Sequence, residues 1–452
     1  MERKYIENLK KWLDDPLRKP LIVWGARQVG KTYLIKDLFA EKYFKNNYIY
    51  VDLGTDYNFV NYCMNHVNAK DVLEYLSIEY NKVIDKNTLI IFDEAQECLP
   101  IITLMKYFCQ DFRDIPIIVT GSMVRIKIQR ENSKRGIINS KFLFPIGKID
   151  QLYVYPLNFD EFLYNINKIA YDKVVDAYNN KVALEEEIHD KVMDIFYSYL
   201  LVGGMPEVVD VYLQTKSYQR AKKALVNLYD NYLADMELYQ ASSESIIRSQ
   251  KIFRNVFIFL NKENKNFSPS LIGEGLKTKN LIAPLDWLEY AFLIYKSSLI
   301  KETTSIPLIE TNDSMFRLYL SDMGMFTYQS QINGTTFLSN ETRNTLSGIF
   351  YENFAAIELL TNGFNLHYWK GKNNSEFEFL IEDNEYVIPL DVKKSKGTLN
   401  SLEKFKNHNK FNYAVKVSAN RYGMDENKKI LTLPFYDFFL YLKEIKEKNN
   451  IL

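Results

Sequence analysis

Between Pro20 and Gly25 the chain runs LIVW, four apolar residues in a row, then turns polar and glycine-bearing through GARQVGKT. A short unbroken apolar run of this kind marks a strand buried on both faces. Leu34, Leu38 and Phe39 then recur at helical spacing in TYLIKDLFAEKYF, which predicts a helix. YIYVDLG (48–54), TLIIFDEAQ (88–96) and IPIIVTGS (115–122) repeat the apolar run, each ending in polar residues. Residues 1–155 therefore read as an α/β domain, a doubly wound parallel sheet covered by helices.

From 156 to 247 the spacing is helical, interrupted by Gly203-Gly204-Met205-Pro206, a sequence no helix can run through. That break reads equally as a hinge or as a plain interhelical turn. Residues 248–335 hold two short helical stretches, RSQKIFRNVFIFLNK and APLDWLEYAFLIY, followed by strand-like LIYKSSLIKE, an order that suits a winged helix. In 336–452 strand patterns return: Ser375–Ile381 and Tyr386–Lys393 flank a polar turn at 382–385.

Composition narrows the classes. With 452 residues the chain is long enough for two to four domains. At 47% hydrophobic and 25% charged it is too apolar for a disordered protein. The 57 basic and 57 acidic residues cancel, which excludes a polybasic protein that holds nucleic acid by bulk charge and leaves room for a local basic groove. The aromatics, 15% of residues, are spread along the whole chain and read as compositional drift rather than as a base-stacking platform. Cys63, Cys98 and Cys109 form no CxxC pair, which argues against a disulfide framework or thiolate zinc site and for a reducing, cytoplasmic setting. MERKYIENLKKWLDD lacks a signal peptide's apolar core, and the apolar stretch near 290 carries Asp286 and Glu289, so no membrane association is expected.

The chemistry begins at the segment Gly25, Ala26, Arg27, Gln28, Val29, Gly30, Lys31 and Thr32, the GxxxxGK[ST] pattern placed between a strand and a helix. The glycines permit a tight turn whose backbone N–H groups face phosphate oxygens, and the helix N-terminus favours the anion. Lys31 reaches the β and γ phosphates and Thr32 binds magnesium in such a loop. The paired acids that end TLIIFDEAQ give Asp93 to Mg²⁺ and Glu94 to the attacking water. Ser122, beyond the carboxyl end of IPIIVTGS, is placed to sense the γ-phosphate, with Thr120 the weaker candidate.

GARQVGKT, TLIIFDEAQ, IPIIVTGS, FLFPIGKI, VYPLNFDEFL and YLLVGGMPEVV together resemble a bacterial and archaeal group of AAA+-related ATPases, over nearly the whole chain. The resemblance implies an ATP-binding AAA-type P-loop core (1–155), a helical lid (156–247), a winged-helix-like segment (248–335) and an α/β restriction-endonuclease-like C-terminal domain (336–452). The group's biological role is not defined. AAA-type sites are often completed by an arginine from a neighbouring subunit. Arg113, Arg125, Arg130 and Arg135 lie in the right region without a matching motif, so oligomerisation stays open; Arg27 is typical of the group.

The C-terminal hairpin, SEFEFLIEDNEYVIPLDVKKSKG, is similar to the PD-(D/E)xK nuclease arrangement. Two carboxylates on adjacent strands can hold magnesium against a scissile phosphate while a lysine two residues on activates water. Asp391 and Lys393 take two of these places. For the first carboxylate, a two-residue turn at Asp383-Asn384 sets Glu376 opposite Asp391, whereas the resemblance favours Glu378. It also implies Glu352 as an auxiliary metal ligand. Glu replaces the usual Asp at the first position and Asp the frequent Glu at the second, so a hairpin that only binds DNA or a partner is the competing expectation. Arg248, Lys251, Arg254, Lys262, Lys265, Lys277, Lys279 and the run Lys393-Lys394-Ser395-Lys396 supply local positive charge for DNA phosphates.

The expectation is an ATP hydrolase, dependent on ATP and Mg²⁺, whose nucleotide state controls a DNA-binding C-terminal module, with DNA cleavage by that module left open. The alternative is a nucleotide-gated scaffold that closes on a protein partner and cuts nothing.

Overall fold

A computed structural model describes residues 1–66, 68–128, 144–240, 242–304, 306–311, 315–332, 348–371, 375–384, 386–393, 400–407 and 409–449. Arg130, Arg135 and the run Lys394-Ser395-Lys396 lie outside them. The chain forms two compact units. One comprises Arg3–Tyr155 and Tyr290–Phe292; the other comprises Met1–Glu2, Pro156–Glu289 and Leu293–Leu452.

The N-terminal unit is built on five parallel strands: β1 (Leu21–Trp24), β2 (Tyr48–Asp52), β3 (Leu89–Asp93), β4 (Ile117–Thr120) and β5 (Asp150–Tyr153). Their order across the sheet is β2-β3-β4-β1-β5. β1, β3 and β4 are buried at every position, as their unbroken apolar runs require. β4 lies between β1 and β3, so the loop after β1 and the acids that end β3 share one edge, a strand apart.

The larger unit opens with helices Phe159–Ile166, Lys168–Asn179, Glu186–Val202, Pro206–Thr215 and Tyr218–Tyr239, as the helical spacing predicts. Asn158 caps the first through its side chain and also donates to buried Glu358, whose other oxygen accepts from the Phe159 N–H. The break at 203–206 is a pinned turn. Gly204 N–H donates to Asp322, Gly204 O accepts from Leu157 N–H, and a Cβ on Gly204 would lie 1.8 Å from the Leu157 oxygen.

Helices Ser243–Arg254, Val256–Leu260 and Ile282–Tyr290 precede an antiparallel pair, β6 (Ile294–Ile300) and β7 (Phe316–Leu320). β6 also pairs in parallel with β8 (His367–Lys370), which pairs with β9 (Glu376–Phe377), so one sheet crosses the expected division at 335/336. A second, mixed sheet runs β10 (Phe379–Asp383), β11 (Tyr386–Val392), β12 (Ala414–Ser418), β14 (Ile430–Pro434) and β13 (Gly423–Asp425). Helix Ile349–Thr361 is buried along nearly its whole length. Aromatics fill the space beside it: Phe435 stacks on Phe196 and on Tyr351, both at 4.7 Å between centroids. These rings work as core. Among the described residues no helix is long and apolar enough to cross a membrane.

Candidate functional site

Gly25 begins the loop after β1 where a Cβ would lie 2.2 Å from the Val154 oxygen, so only glycine lets the loop rest on the end of β5. Gln28 and Gly30 adopt left-handed backbone, φ 61° and 84°, and a π-helix, Tyr33–Ala40, follows Lys31 and Thr32. The Lys31 ammonium folds back onto its own loop, donating to Gly25 O at 3.0 Å and Ala26 O at 2.7 Å. Burial lowers its pKa to about 8, against the opposing pull of Glu94 and Asp93.

The Thr32 hydroxyl donates to Asp93 Oδ2 at 2.6 Å. Tyr50 donates to the same oxygen at 3.1 Å, and Glu94 N–H donates to Asp93 Oδ1 at 2.8 Å. Asp93 is buried, and a hydroxyl paired with an oriented carboxylate is a donor set that suits magnesium through its water shell. Glu94 stands just beyond β3 in left-handed backbone, φ 52° and ψ 43°, a strained conformation for a residue with a side chain. Its carboxylate accepts from the Gln96 amide. The Gln96 carbonyl oxygen is buried with no hydrogen-bond partner, against Gly121, where a Cβ would approach it to 2.4 Å.

Ser122 lies half-buried just past β4, while the Thr120 hydroxyl bonds to Val23 O, a structural role. Arg27 is exposed on the loop. Arg113 donates to the backbone of Leu17 and Arg18, and Arg125 stacks over Tyr290, which gives each a role inside the unit. Tyr50 and Gln96 carry no sequence signal of their own: Tyr50 looks like any strand aromatic, and Gln96 lies just beyond the acids that draw attention.

In the larger unit, β10 and β11 pair with Asp383 opposite Tyr386 and Phe379 opposite Leu390. The turn therefore sits one residue later than Asp383-Asn384. This corrects the register that favoured Glu376, because the observed alignment, continued one residue past Phe379–Leu390, falls on Glu378 and Asp391. Lys393 Nζ bridges Glu378 and Asp391, at 3.0 Å to each, and Glu378 also accepts from Val392 N–H. Asp391 Oδ2 is buried without a hydrogen-bond partner. Burial and then the charge of Glu378 push the Asp391 pKa up to about 7. Lys393, and to a lesser degree Lys416 opposite Asp391 on β12, pull the other way.

Glu376 and Glu352 are held by Arg317 and Lys265, whose charges also act on Glu378. Glu352 Oε1 accepts from Arg317 at 3.1 Å and from Tyr319 at 2.7 Å, and Oε2 accepts from Lys265 at 2.5 Å. Arg317 also holds Glu376 at 2.8 Å. Both Glu352 oxygens thus face protein donors, which hold its pKa down at about 2 despite burial. Among the described residues no group of three or more His, Cys, Asp or Glu is arranged to hold a metal. Lys265, expected to meet DNA, is committed to Glu352, and Lys251 donates to Ile272 O. Arg317 and Tyr319 carry no motif and come to this cluster only through the β6–β7 hairpin.

The β1 loop, the acids of β3 and the sheet order define a P-loop α/β domain, and residues 17–163 match the AAA domain family. The chain carries an AAA-type ATPase domain. Residues 193–336 and 347–436 match two domains of unknown function, DUF8612 and DUF4143. No curated protein matches the chain. Among solved structures, a DNA replication initiation factor shares 16% identity, with 56% of this chain and 67% of that one covered and a TM-score of 0.24. AMPPCP-bound DnaA from Aquifex aeolicus shares 15%, covering 63% and 86%, at 0.28. The Thermotoga maritima RuvB Holliday junction branch migration motor shares 15%, covering 64% and 88%, at 0.29. Likenesses this loose do not bear on function.

Proposed function

We propose that the chain hydrolyses ATP at the β1 loop and that its nucleotide state controls a DNA-binding C-terminal module. The observation that carries the first part is the 2.6 Å bond from Thr32 to Asp93, which joins loop and acid strand at one point. In this reading Lys31 leaves the Gly25 and Ala26 carbonyls for the β and γ phosphates, and the loop backbone from Ala26 to Gly30 cradles them. Thr32 and Asp93 would hold magnesium, which supplies charge neutralisation on the phosphates. Glu94 orients the water that attacks the γ-phosphorus, yielding ADP and phosphate, and Gln96 holds that carboxylate until nucleotide arrives. Ser122 senses the γ-phosphate.

For the C-terminal unit, the partnerless oxygen of Asp391 beside Glu378 and Lys393 supports a magnesium-dependent phosphodiester site. A second reading, a nucleotide-gated scaffold with an inactive hairpin, is favoured by Glu352, whose oxygens already face Arg317, Tyr319 and Lys265. The test is purified protein on linear and plasmid DNA with Mg²⁺ or Mn²⁺, with and without ATP. Cleavage lost in Asp391→Ala and Lys393→Ala supports the nuclease. DNA binding without cleavage supports a binding module, and neither supports the scaffold. A cytoplasmic location belongs to the same proposal.

A further inference from the structure

Arg3 is a cation buried to 4% exposure close to the phosphate loop yet outside its motif. Its guanidinium donates to Val29 O at 2.8 Å and to Tyr155 O at 2.7 Å, and it lies over the Tyr5 ring at 5.3 Å. Because the guanidinium is a fixed, planar fork of donors, it joins two backbone carbonyls that are far apart in sequence and holds both at set angles.

Val29 is the residue before Gly30. Because the peptide unit is planar and trans, the direction of Val29 C=O dictates the direction of Gly30 N–H, which points the opposite way. Holding that carbonyl toward Arg3 turns the Gly30 N–H away from it and leaves the N–H available to a ligand. Gly30 has left-handed backbone, φ 84°, so its peptide plane could otherwise swing. At its other end the loop rests on Val154, which leaves no room for a Cβ on Gly25. The loop is thus braced at its start by Val154 and near its end by Arg3.

We propose that Arg3 is a positioning residue for nucleotide phosphate, acting through Val29 to aim the Gly30 amide at the β-phosphate. This rests on the nucleotide-site reading above and extends it to a residue that touches no ligand.

The test uses the full-length chain and compares ADP with AMP, which lacks the β-phosphate. By titration calorimetry, Arg3→Ala should weaken ADP binding on the order of tenfold, the scale of a lost hydrogen bond to a charged group, and leave AMP binding unchanged. Arg3→Lys, which reaches one carbonyl only, should fall between. Unaltered ADP affinity, or equal proportional losses for ADP and AMP, would overturn the proposal. If Arg3→Ala does not fold, Arg3→Lys carries the same comparison with the same criteria. A wild-type protein that binds neither nucleotide overturns the nucleotide-site reading itself, and the role of Arg3 with it.

Discussion

The Thr32 hydroxyl donates to the Asp93 carboxylate at 2.6 Å, although the two residues stand 61 apart in sequence. The contact forms because β4 alone separates the strand that launches the loop from the strand that ends in acids. Removing the charge at Asp93 tests whether the contact marks a metal position. Asp93→Asn should cut ATP turnover by about 10²-fold or more, the scale of losing one electrostatic stabiliser. ATP affinity should drop in the presence of Mg²⁺ and stay unchanged in EDTA. Equal affinities with metal would remove Asp93 from that role.

Glu94 predicts a separation of binding from chemistry. Glu94→Gln keeps the shape and the neighbour Gln96 but loses the base, so ATP should bind with wild-type affinity. Turnover should fall by about 10²–10⁴-fold, the usual contribution of general base catalysis. Filter binding and phosphate release measure the two quantities on the same sample.

Lys31 sets a pH dependence. Its ammonium is held in a buried site that lowers its pKa to about 8, with desolvation the leading cause. In the proposed site the charged form meets phosphate, so affinity should be flat below that value. Above it, affinity should fall as the free protein loses the proton, by up to about tenfold per pH unit. Lys31→Arg, charged throughout, should flatten the profile. A wild-type affinity unchanged between pH 7 and pH 9.5 would contradict the assignment.

The pinned turn at 203–206 gives a stability prediction. Gly204→Ala places a Cβ 1.8 Å from the Leu157 oxygen and should destabilise the larger unit by roughly 3 kcal/mol or more, since backbone on both sides must move. Gly348→Ala, which meets nothing within 4 Å, should be close to neutral. Thermal melts of the two variants against wild type decide it.

The parallel sheet and the loop are legible in the sequence because buried strands leave unbroken apolar runs and the loop has a fixed spacing. Asp93 and Glu94 are readable for the same reason: they end such a run. The hairpin register is not, because shifting the turn from Asp383-Asn384 by one residue exchanges Glu376 for Glu378, and several polar residues in a row give no preferred turn. The meeting of Arg317, Tyr319 and Lys265 with Glu352 stays hidden because it depends on a strand, a loop and a helix far apart in sequence packing together, which leaves no local spacing. Arg3 is hidden among other charges: nothing in MERKYIENLKK distinguishes the one buried cation from the solvated ones.

The central claim is that the β1 loop and the β3 acids form one ATP-hydrolysing site. Phosphate release from ATP and Mg²⁺ by wild type, Lys31→Ala and Glu94→Gln, each with ATP binding measured in parallel, tests it most directly. The account predicts turnover in wild type alone, with ATP bound by wild type and Glu94→Gln and lost in Lys31→Ala. Hydrolysis at wild-type rate in either variant would contradict it.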